Sequence, residues 1–207
     1  MTENLNEGID TIHSSVSLTI VANVENLTLT GNANLNGTGN GLANVMIGNG
    51  GNNTMSGGGG GDRLEGGGGA DILDGGAAAD TILGGNGGDQ ITGGTGADIL
   101  TGGVGSDWFI FNAIGHSAPG AFDTITDFLH LTDIINLSAI DARTGANGNQ
   151  AFAYGGQTAG AVANSVTWYE SDGNTFVQAD VNGNMTADLL IMLSGINHRL
   201  TAADFLL

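Results

Sequence analysis

Aspartate recurs at positions 62, 71, 80, 89, 98 and 107, one in every nine residues, through the most glycine-rich part of the chain. Glycine and small polar residues in such proportion ordinarily make a flexible linker, and a linker has no use for a period. Here the register holds without a gap over eight nonapeptides between Gly39 and Ile110. They read GNGLANVMI, GNGGNNTMS, GGGGGDRLE, GGGGADILD, GGAAADTIL, GGNGGDQIT, GGTGADILT and GGVGSDWFI. The sixth position is Asn44, Asn53, Asp62, Asp71, Asp80, Asp89, Asp98 and Asp107. The eighth is Met46, Met55, Leu64, Leu73, Ile82, Ile91, Leu100 and Phe109. Glycine opens every repeat and fills most second and fourth positions.

Each position has a physical reading. One large apolar residue flanked by two outward neighbours describes a strand of about three residues with one inward side chain. The glycine run supplies a tight turn with positive φ angles. A strand so short cannot stand alone, but stacked parallel neighbours bury a continuous apolar column. Two nonapeptides make one coil, so odd and even repeats fall on opposite sides of a flattened solenoid. The fold class expected is all-β, a right-handed parallel β-roll. This arrangement brings Asp62, Asp80 and Asp98 into one file and Asp71, Asp89 and Asp107 into another, with neighbours one strand spacing apart, about 4.8 Å. Like charges that close are unfavourable unless a cation lies between them. Two carboxylates and several turn carbonyls form a flexible all-oxygen cage, which suits Ca²⁺ better than Mg²⁺. The expected ligands are Asp62, Asp71, Asp80, Asp89, Asp98 and Asp107, with Asn53 a weaker amide partner. The carbonyls expected are those of Gly57, Gly59, Gly66, Gly68, Gly75, Gly84, Gly93 and Gly102. In the fifth repeat Ala78 stands where glycine is the rule, and a positive φ there costs about 1 kcal/mol.

The balance of charge points the same way. Of 207 residues, 21 are acidic and three are arginine, with no lysine, for a net charge of −18. A polyanion repels phosphate backbones and anionic headgroups, so nucleic acid and membrane surfaces are excluded as partners and hard cations favoured. The absence of lysine removes P-loop and Schiff-base chemistry. The absence of cysteine removes disulfides and thiolate metal sites. MTENLNEG at the start is acidic and polar, unlike a cleavable secretory signal. LLIML, Leu189–Leu193, is far shorter than the roughly 20 residues of a membrane span.

The nonapeptide resembles the calcium-binding repeat of RTX proteins, whose fold is the parallel β-roll. The resemblance extends beyond the repeats. APGAFDTITDFLHLTDIINLSAIDA, then GNTFVQADVNGNMTADLLIML, then LTAADFLL are similar, in that order, to the C-terminal domain of serralysin-type secreted metalloproteases, over essentially all of 102–207. Asn136 and Asn184 depart from that family's usual aspartate. The resemblance implies a chain that leaves a Gram-negative cell unfolded through a type I secretion machinery and folds on meeting extracellular calcium. DFLL, Asp204–Leu207, is similar to the uncleaved terminal signal of the protease branch. The chain is expected to be a monomer and is read as the end of something longer.

Outside the repeats, residues 1–38 are read as an irregular cap or degenerate roll turns. GIDTI, Gly8–Ile12, looks like the tail of one more repeat, yet Asp10 lies out of register with Asn44. Residues 111–207, where most aromatics occur, are read as a β-rich domain closing the solenoid. Asp172-Gly173 marks a two-residue hairpin turn. SAID, Ser138–Asp141, and TAAD, Thr201–Asp204, have capping-box spacing and are expected to open short helices. Asp180, Asn182, Asn184 and Asp188 alternate oxygens around Gly183 as in the first half of an EF-hand loop, though Met192 stands where its bidentate glutamate belongs. They form a second calcium candidate. Asp123 and Asp127 in FDTITDF resemble a family position near the roll junction, and Asp127 is taken as a ligand.

No catalytic constellation is present. His13, His116, His130 and His198 form no i, i+4 pair, so the family's HExxH zinc site is missing. GHSAP, Gly115–Pro119, lacks the second glycine of a nucleophile elbow, which makes Ser117 a loop serine. Three functions stay open: a non-catalytic calcium-triggered folding and secretion module; the tail of an exoenzyme (protease, lipase or polysaccharide-modifying); and an adhesive surface protein.

Overall fold

In the computed structural model, which describes residues 8–207, the eighth position of each repeat turns inward and becomes the core. The polar start, residues 1–7, on which the secretory-signal reading fell, lies outside the described residues. The strands are β1 (Thr11–Ser14), β2 (Leu18–Thr19), β3 (Asn26–Leu29), β4 (Asn36–Thr38), β5 (Val45–Ile47), β6 (Thr54–Gly59), β7 (Arg63–Gly68), β8 (Ile72–Ala77), β9 (Thr81–Asn86) and β10 (Gln90–Thr95). They continue as β11 (Ile99–Val104), β12 (Trp108–Ile110), β13 (Asp123–Ile125), β14 (Ile134–Asn136), β15 (Ala153–Gln157), β16 (Ser165–Ser171), β17 (Asn174–Ala179), β18 (Leu189–Leu193) and β19 (Phe205–Leu206). Odd strands β1 to β13 line one sheet and even strands β2 to β14 the other, all parallel to their neighbours. This is the all-β, right-handed parallel β-roll expected from the repeat.

The inward residues pair by register into two columns. One runs Leu27, Met46, Leu64, Ile82, Leu100, Ile125. The other runs Met55, Leu73, Ile91, Phe109, Ile135, Phe205. All are buried. Gly37 holds the next place of the second column, and a Cβ there would lie 2.9 Å from Met46 Cε and 3.0 Å from Leu27 Cδ2. Long side chains of the opposite sheet fill what glycine leaves, as close packing requires.

The strands are longer than expected. From β6 to β11 each has six residues instead of about three, because the first three positions of a repeat stay in the ladder: Gly58 pairs with Gly76 and Gly59 with Ala77. The turn is confined to positions four to six. Ala78 does take a positive φ, 78°. At position one the need for glycine is space, not φ, as the site below shows.

The ladder crosses residues 38 and 110 without a break. Before the repeats, the coils from Asp10 to Glu25 and from Glu25 to Asn44 span 15 and 19 residues, which accounts for the lost register. After them, β13 and β14 add one strand to each sheet, and β18, β17, β16 and β15 extend the first. Asp172 (φ 51°) and Gly173 (φ 79°) form the anticipated hairpin between β16 and β17. Thr201 and Asp204 close a capping box on a 3₁₀ turn, Ala202–Asp204. Ser138–Asp141 is a turn and opens no helix: Asp141 Oδ1 accepts from Arg143 N and Gln150 N downstream, and Asn136 Oδ1 takes Ser138 N. Among the described residues no helix is long and apolar enough to cross a membrane.

The columns are the core, so truncating them costs most. Ile91→Ala is expected to lose about 2–5 kcal/mol in urea unfolding at saturating calcium. Ile72→Ala, on the exposed face of the neighbouring strand, stays within about 0.5 kcal/mol. Equal losses at both positions contradict the column assignment.

Candidate metal centre

The sixth-position residues lie where each turn re-enters a strand, and the register stacks them along both edges of the roll. One file runs Asn44, Asp62, Asp80, Asp98, Asp123; the other runs Asn53, Asp71, Asp89, Asp107, Asp133. Within a file each aspartate Oδ1 accepts the backbone N–H of the residue one coil earlier. Asp80 takes Asp62 N at 2.7 Å, Asp98 takes Asp80 N at 2.8 Å, and Asp123 takes Asp98 N at 3.0 Å. In the other file Asp89 takes Asp71 N at 2.8 Å, Asp107 takes Asp89 N at 2.9 Å, and Asp133 takes Asp107 N at 3.0 Å.

The second carboxylate oxygen is different. Oδ2 of Asp62, Asp71, Asp80, Asp89, Asp98, Asp107 and Asp123 is buried and has no hydrogen-bond partner among the described residues. Beside it stands another acceptor. A Cβ built on Gly57 would lie 2.7 Å from Gly75 O and closer still to Asp62 Oδ2. The same pair recurs at Gly66 (Asp71 Oδ2 and Gly84 O), Gly75 (Asp80 Oδ2 and Gly93 O) and Gly84 (Asp89 Oδ2 and Gly102 O). At Gly93 and Gly102 the aspartate oxygen is again the nearest atom. Position one is glycine so that a carboxylate and a carbonyl of the next coil can converge on one point. Two acceptors with no donor between them are unfavourable when buried. A hard divalent cation resolves the conflict, and an all-oxygen set of this kind fits calcium. Among the described residues no three acidic or histidine side chains gather to hold a metal. Any ion here draws on carboxylates from adjacent coils and on main-chain carbonyls.

The titration of the ladder reflects the same conflict. Burial, partly offset by the backbone hydrogen bond, pushes Asp62 up to about 6. Burial, with neighbouring aspartates adding to it, pushes Asp80 to about 7, Asp89 to about 6 and Asp123 to about 8. Asp71, Asp98, Asp107 and Asp133 are raised, burial again first.

The remaining candidates separate clearly. The position-one glycines, Gly57, Gly66, Gly75, Gly84, Gly93 and Gly102, border the ladder. Gly59 and Gly68 lie in β6 and β7, where they donate to Asn40 O and Asn49 O at 3.0 Å and a Cβ would meet only Gly41 Cα and Gly50 Cα, away from the carboxylates. Asn53 Oδ1 accepts Asn49 N, so that oxygen is already engaged. Asp127 turns both oxygens to Gly102 N and Gly103 N, at 2.9 and 2.8 Å. In the 180–188 loop Asp180 accepts from Asn182, Gly183 and Met185 N, while Asp188 accepts from Val181 N and Asn182 Nδ2. Asn182 and Asn184 accept from Asn184 N and Thr186 N. That loop closes on its own hydrogen bonds. Ser117 is buried, donates to Leu190 O and accepts Asp123 N, fastening the 111–122 insert.

Sequence reasoning stopped the ladder at Asp107 and missed Asp133; it noted Asp123 only beside Asp127. The steps to Asp123 and Asp133 are 25 and 26 residues, since inserts lengthen the last turns. The signal was an aspartate two places before an inward residue: Asp123-Thr124-Ile125 and Asp133-Ile134-Ile135 repeat Asp98-Ile99-Leu100.

Residues 8–207 match the family described as Peptidase M10 serralysin C terminal, and the chain belongs to it. The matched region is the non-catalytic one of that family. No curated protein sequence matches. Among similar solved structures are two subunits of the Azotobacter vinelandii mannuronan C5-epimerase. The AlgE6R2 subunit has 23% identity, covering 84% of this chain and 91% of that one, with a TM-score of 0.44. The AlgE6R3 subunit has 24% identity, covering 86% and 80%, with a TM-score of 0.39.

A sign follows for pH. Each raised carboxyl binds its proton more tightly folded than unfolded, so in chelator the ladder stabilises the fold below about pH 4. That contribution is lost as pH rises through the folded values, up to about 8 at Asp123. The urea midpoint in chelator is therefore expected to be highest near about pH 4, the ordinary carboxyl value, to fall as pH rises and to vanish toward neutrality. With saturating calcium it should rise over the same range, because protons compete with the ion. A chelated midpoint that climbs with pH contradicts the assignment.

Proposed function

We propose that the chain is a calcium-triggered folding module of a secreted bacterial protein, binding several calcium ions along the two aspartate files and non-catalytic in itself. The observation that carries this reading is the run of buried, unpartnered Oδ2 atoms, each facing a carbonyl of the next coil or the glycine that admits it. The ligands proposed are Asp62, Asp71, Asp80, Asp89, Asp98, Asp107 and Asp123, with the carbonyls of Gly75, Gly84, Gly93 and Gly102. Ordering a glycine-rich chain is costly in entropy, and one inward side chain per nine returns only about 1.5–3 kcal/mol. Ions that bind only the folded state add RT ln(1 + [L]/Kd) each. Extracellular calcium modules work at about 10⁻⁴–10⁻³ M, far above cytosolic calcium. The chain thus stays unfolded inside the cell, passes through a type I secretion machinery and folds outside as a monomer.

The serralysin C-terminal family favours one parentage, a module following a secreted peptidase domain. Asp204–Leu207 serves as the terminal signal. In the folded chain Asp204 is buried and Phe205 pairs with Ile135, so the signal is read before folding.

Circular dichroism across a calcium titration, with magnesium as control, tests the proposal. Disorder in chelator and a cooperative β signal near millimolar calcium are expected. Asp80→Ala with Asp98→Ala should move the calcium midpoint up. Full β signal in chelator at neutral pH, or an unmoved midpoint in the double variant, overturns it.

A further inference from the structure

The acidic ladder stops short of the N-terminal end of the roll. One coil before Asp62 the file holds Asn44, and one coil before Asp71 it holds Asn53. Both are buried, and both amides are engaged. Asn44 Oδ1 accepts Asn40 N and Asn53 Oδ1 accepts Asn49 N, each at 2.9 Å. Their nitrogens donate to Glu25 O and Leu35 O, each at 3.1 Å.

The asparagines at position two go further. Asn40 Nδ2 donates to Val21 O at 2.9 Å and Val24 O at 2.8 Å. Asn49 Nδ2 donates to Thr30 O at 3.3 Å and Ala33 O at 3.0 Å. In both cases the two carbonyls belong to the preceding turn, 19 and 16 residues back. Each Oδ1 then accepts a backbone N–H of its own turn, Leu42 N and Gly51 N at 2.8 Å. In every later repeat position two is a glycine with positive φ, from Gly58 to Gly103. Those residues have no side chain with which to reach the coil before them, and there the unpartnered Oδ2 atoms begin.

We propose that the Asn40 and Asn49 amides do in the first coils what calcium does in the later ones. Each amide spreads two N–H dipoles over two carbonyls of the preceding turn and ties adjacent coils without an ion. A half-buried neutral amide with all its partners is far less costly than an unpaired buried carboxylate. The roll therefore has two kinds of edge, an ion-independent one up to Asn53 and an ion-dependent one from Asp62 on. The proposal rests on reading the aspartate files as calcium sites.

The test compares the chain with two variants, Asn40→Gly/Asn49→Gly and Asn40→Gly/Asn44→Asp. Bound calcium per chain is measured by equilibrium dialysis, and hydrogen exchange is followed by mass spectrometry over residues 18–47. Asn40→Gly/Asn49→Gly should bind as many ions as the parent but exchange several-fold faster over 18–47 at saturating calcium. Asn40→Gly/Asn44→Asp restores the position-two glycine and the ligand carboxylate. It should bind one further calcium and regain protection only as that ion binds. A folded Asn40→Gly/Asn44→Asp with no additional ion overturns the proposal. So does unchanged exchange in Asn40→Gly/Asn49→Gly, which decides alone should the other variant not fold. A parent that binds no calcium is a separate result and removes the underlying reading instead.

Discussion

Everything in this fold turns on an oxygen that faces an oxygen. Adjacent coils are joined by three things: the parallel ladder, the inward columns and the turn edges. The first two are complete as they stand, with strands in register and Leu64, Ile82, Leu100 and their partners fully buried. The edges are half complete. Oδ1 of each aspartate finds a backbone N–H one coil away, and this fixes the stacking distance. Oδ2 is then left without a donor, and at Asp62, Asp71, Asp80 and Asp89 it crowds the position-one glycine together with a carbonyl oxygen of the next coil. Only a proton or a cation can stand between two such oxygens, and at neutral pH the proton is available only to the most perturbed groups. A cation is the general solution.

The ends of the solenoid show what the chain does when it needs no ion. At the N-terminal end amides meet carbonyls. At the other end carboxylates meet N–H groups. Asp127 receives Gly102 N and Gly103 N, and Asp204 receives Leu131 N, Thr201 N, the Thr201 hydroxyl and His130 Nδ1. Burial works to raise Asp204, yet the hydrogen bonds from Leu131, Thr201 and His130 outweigh it and hold the group below the usual carboxylate value. Asp204 and Asp123 are equally buried aspartates with opposite shifts. Asp123 has desolvation and the neighbouring carboxylates of Asp98 and Asp80 against a single donor, whereas Asp204 collects donors from Leu131, Thr201 and His130.

The period of nine made most of this legible. Regular residues behave regularly: the two files, the alternate sheets, the inward Met, Leu and Ile, and the positive φ at Ala78 all follow from spacing. The failures lie where spacing changes. Asp123 and Asp133 were hard to read as ladder members because inserts push them 25 and 26 residues from their predecessors. Strand length was underestimated because glycine suggests a turn, while Gly58 and Gly59 remain paired in a ladder that tolerates positive φ. Ser138–Asp141 has the letters of a capping box, but Asn136 and Asp141 draw the nearby N–H groups into tighter local bonds. A capping motif states a local preference, and competing acceptors a few residues away can overrule it.

The C-terminal end gives the ion dependence a direction. Phe205 is the last inward residue of its column and Asp204 the knot of the terminal cap, so these two residues are available to another protein only while the chain is open. Each coil rests on the one beside it, and the inward columns run without interruption from β3 and β6 to β13 and β19. An ion that ties the later coils therefore acts on the same cooperative unit that withdraws Asp204 and Phe205 from reach. On the proposed secretion route the terminus is recognised first and packed afterwards, which agrees with a fold whose final stabilisation comes from outside the chain. Adding apolar bulk at the eighth position could hold the coils without ions, but it would also bury the terminus too early. On the proposed reading, glycine-rich repeats with one inward side chain keep the unaided fold weak, and the aspartates make its completion conditional on calcium.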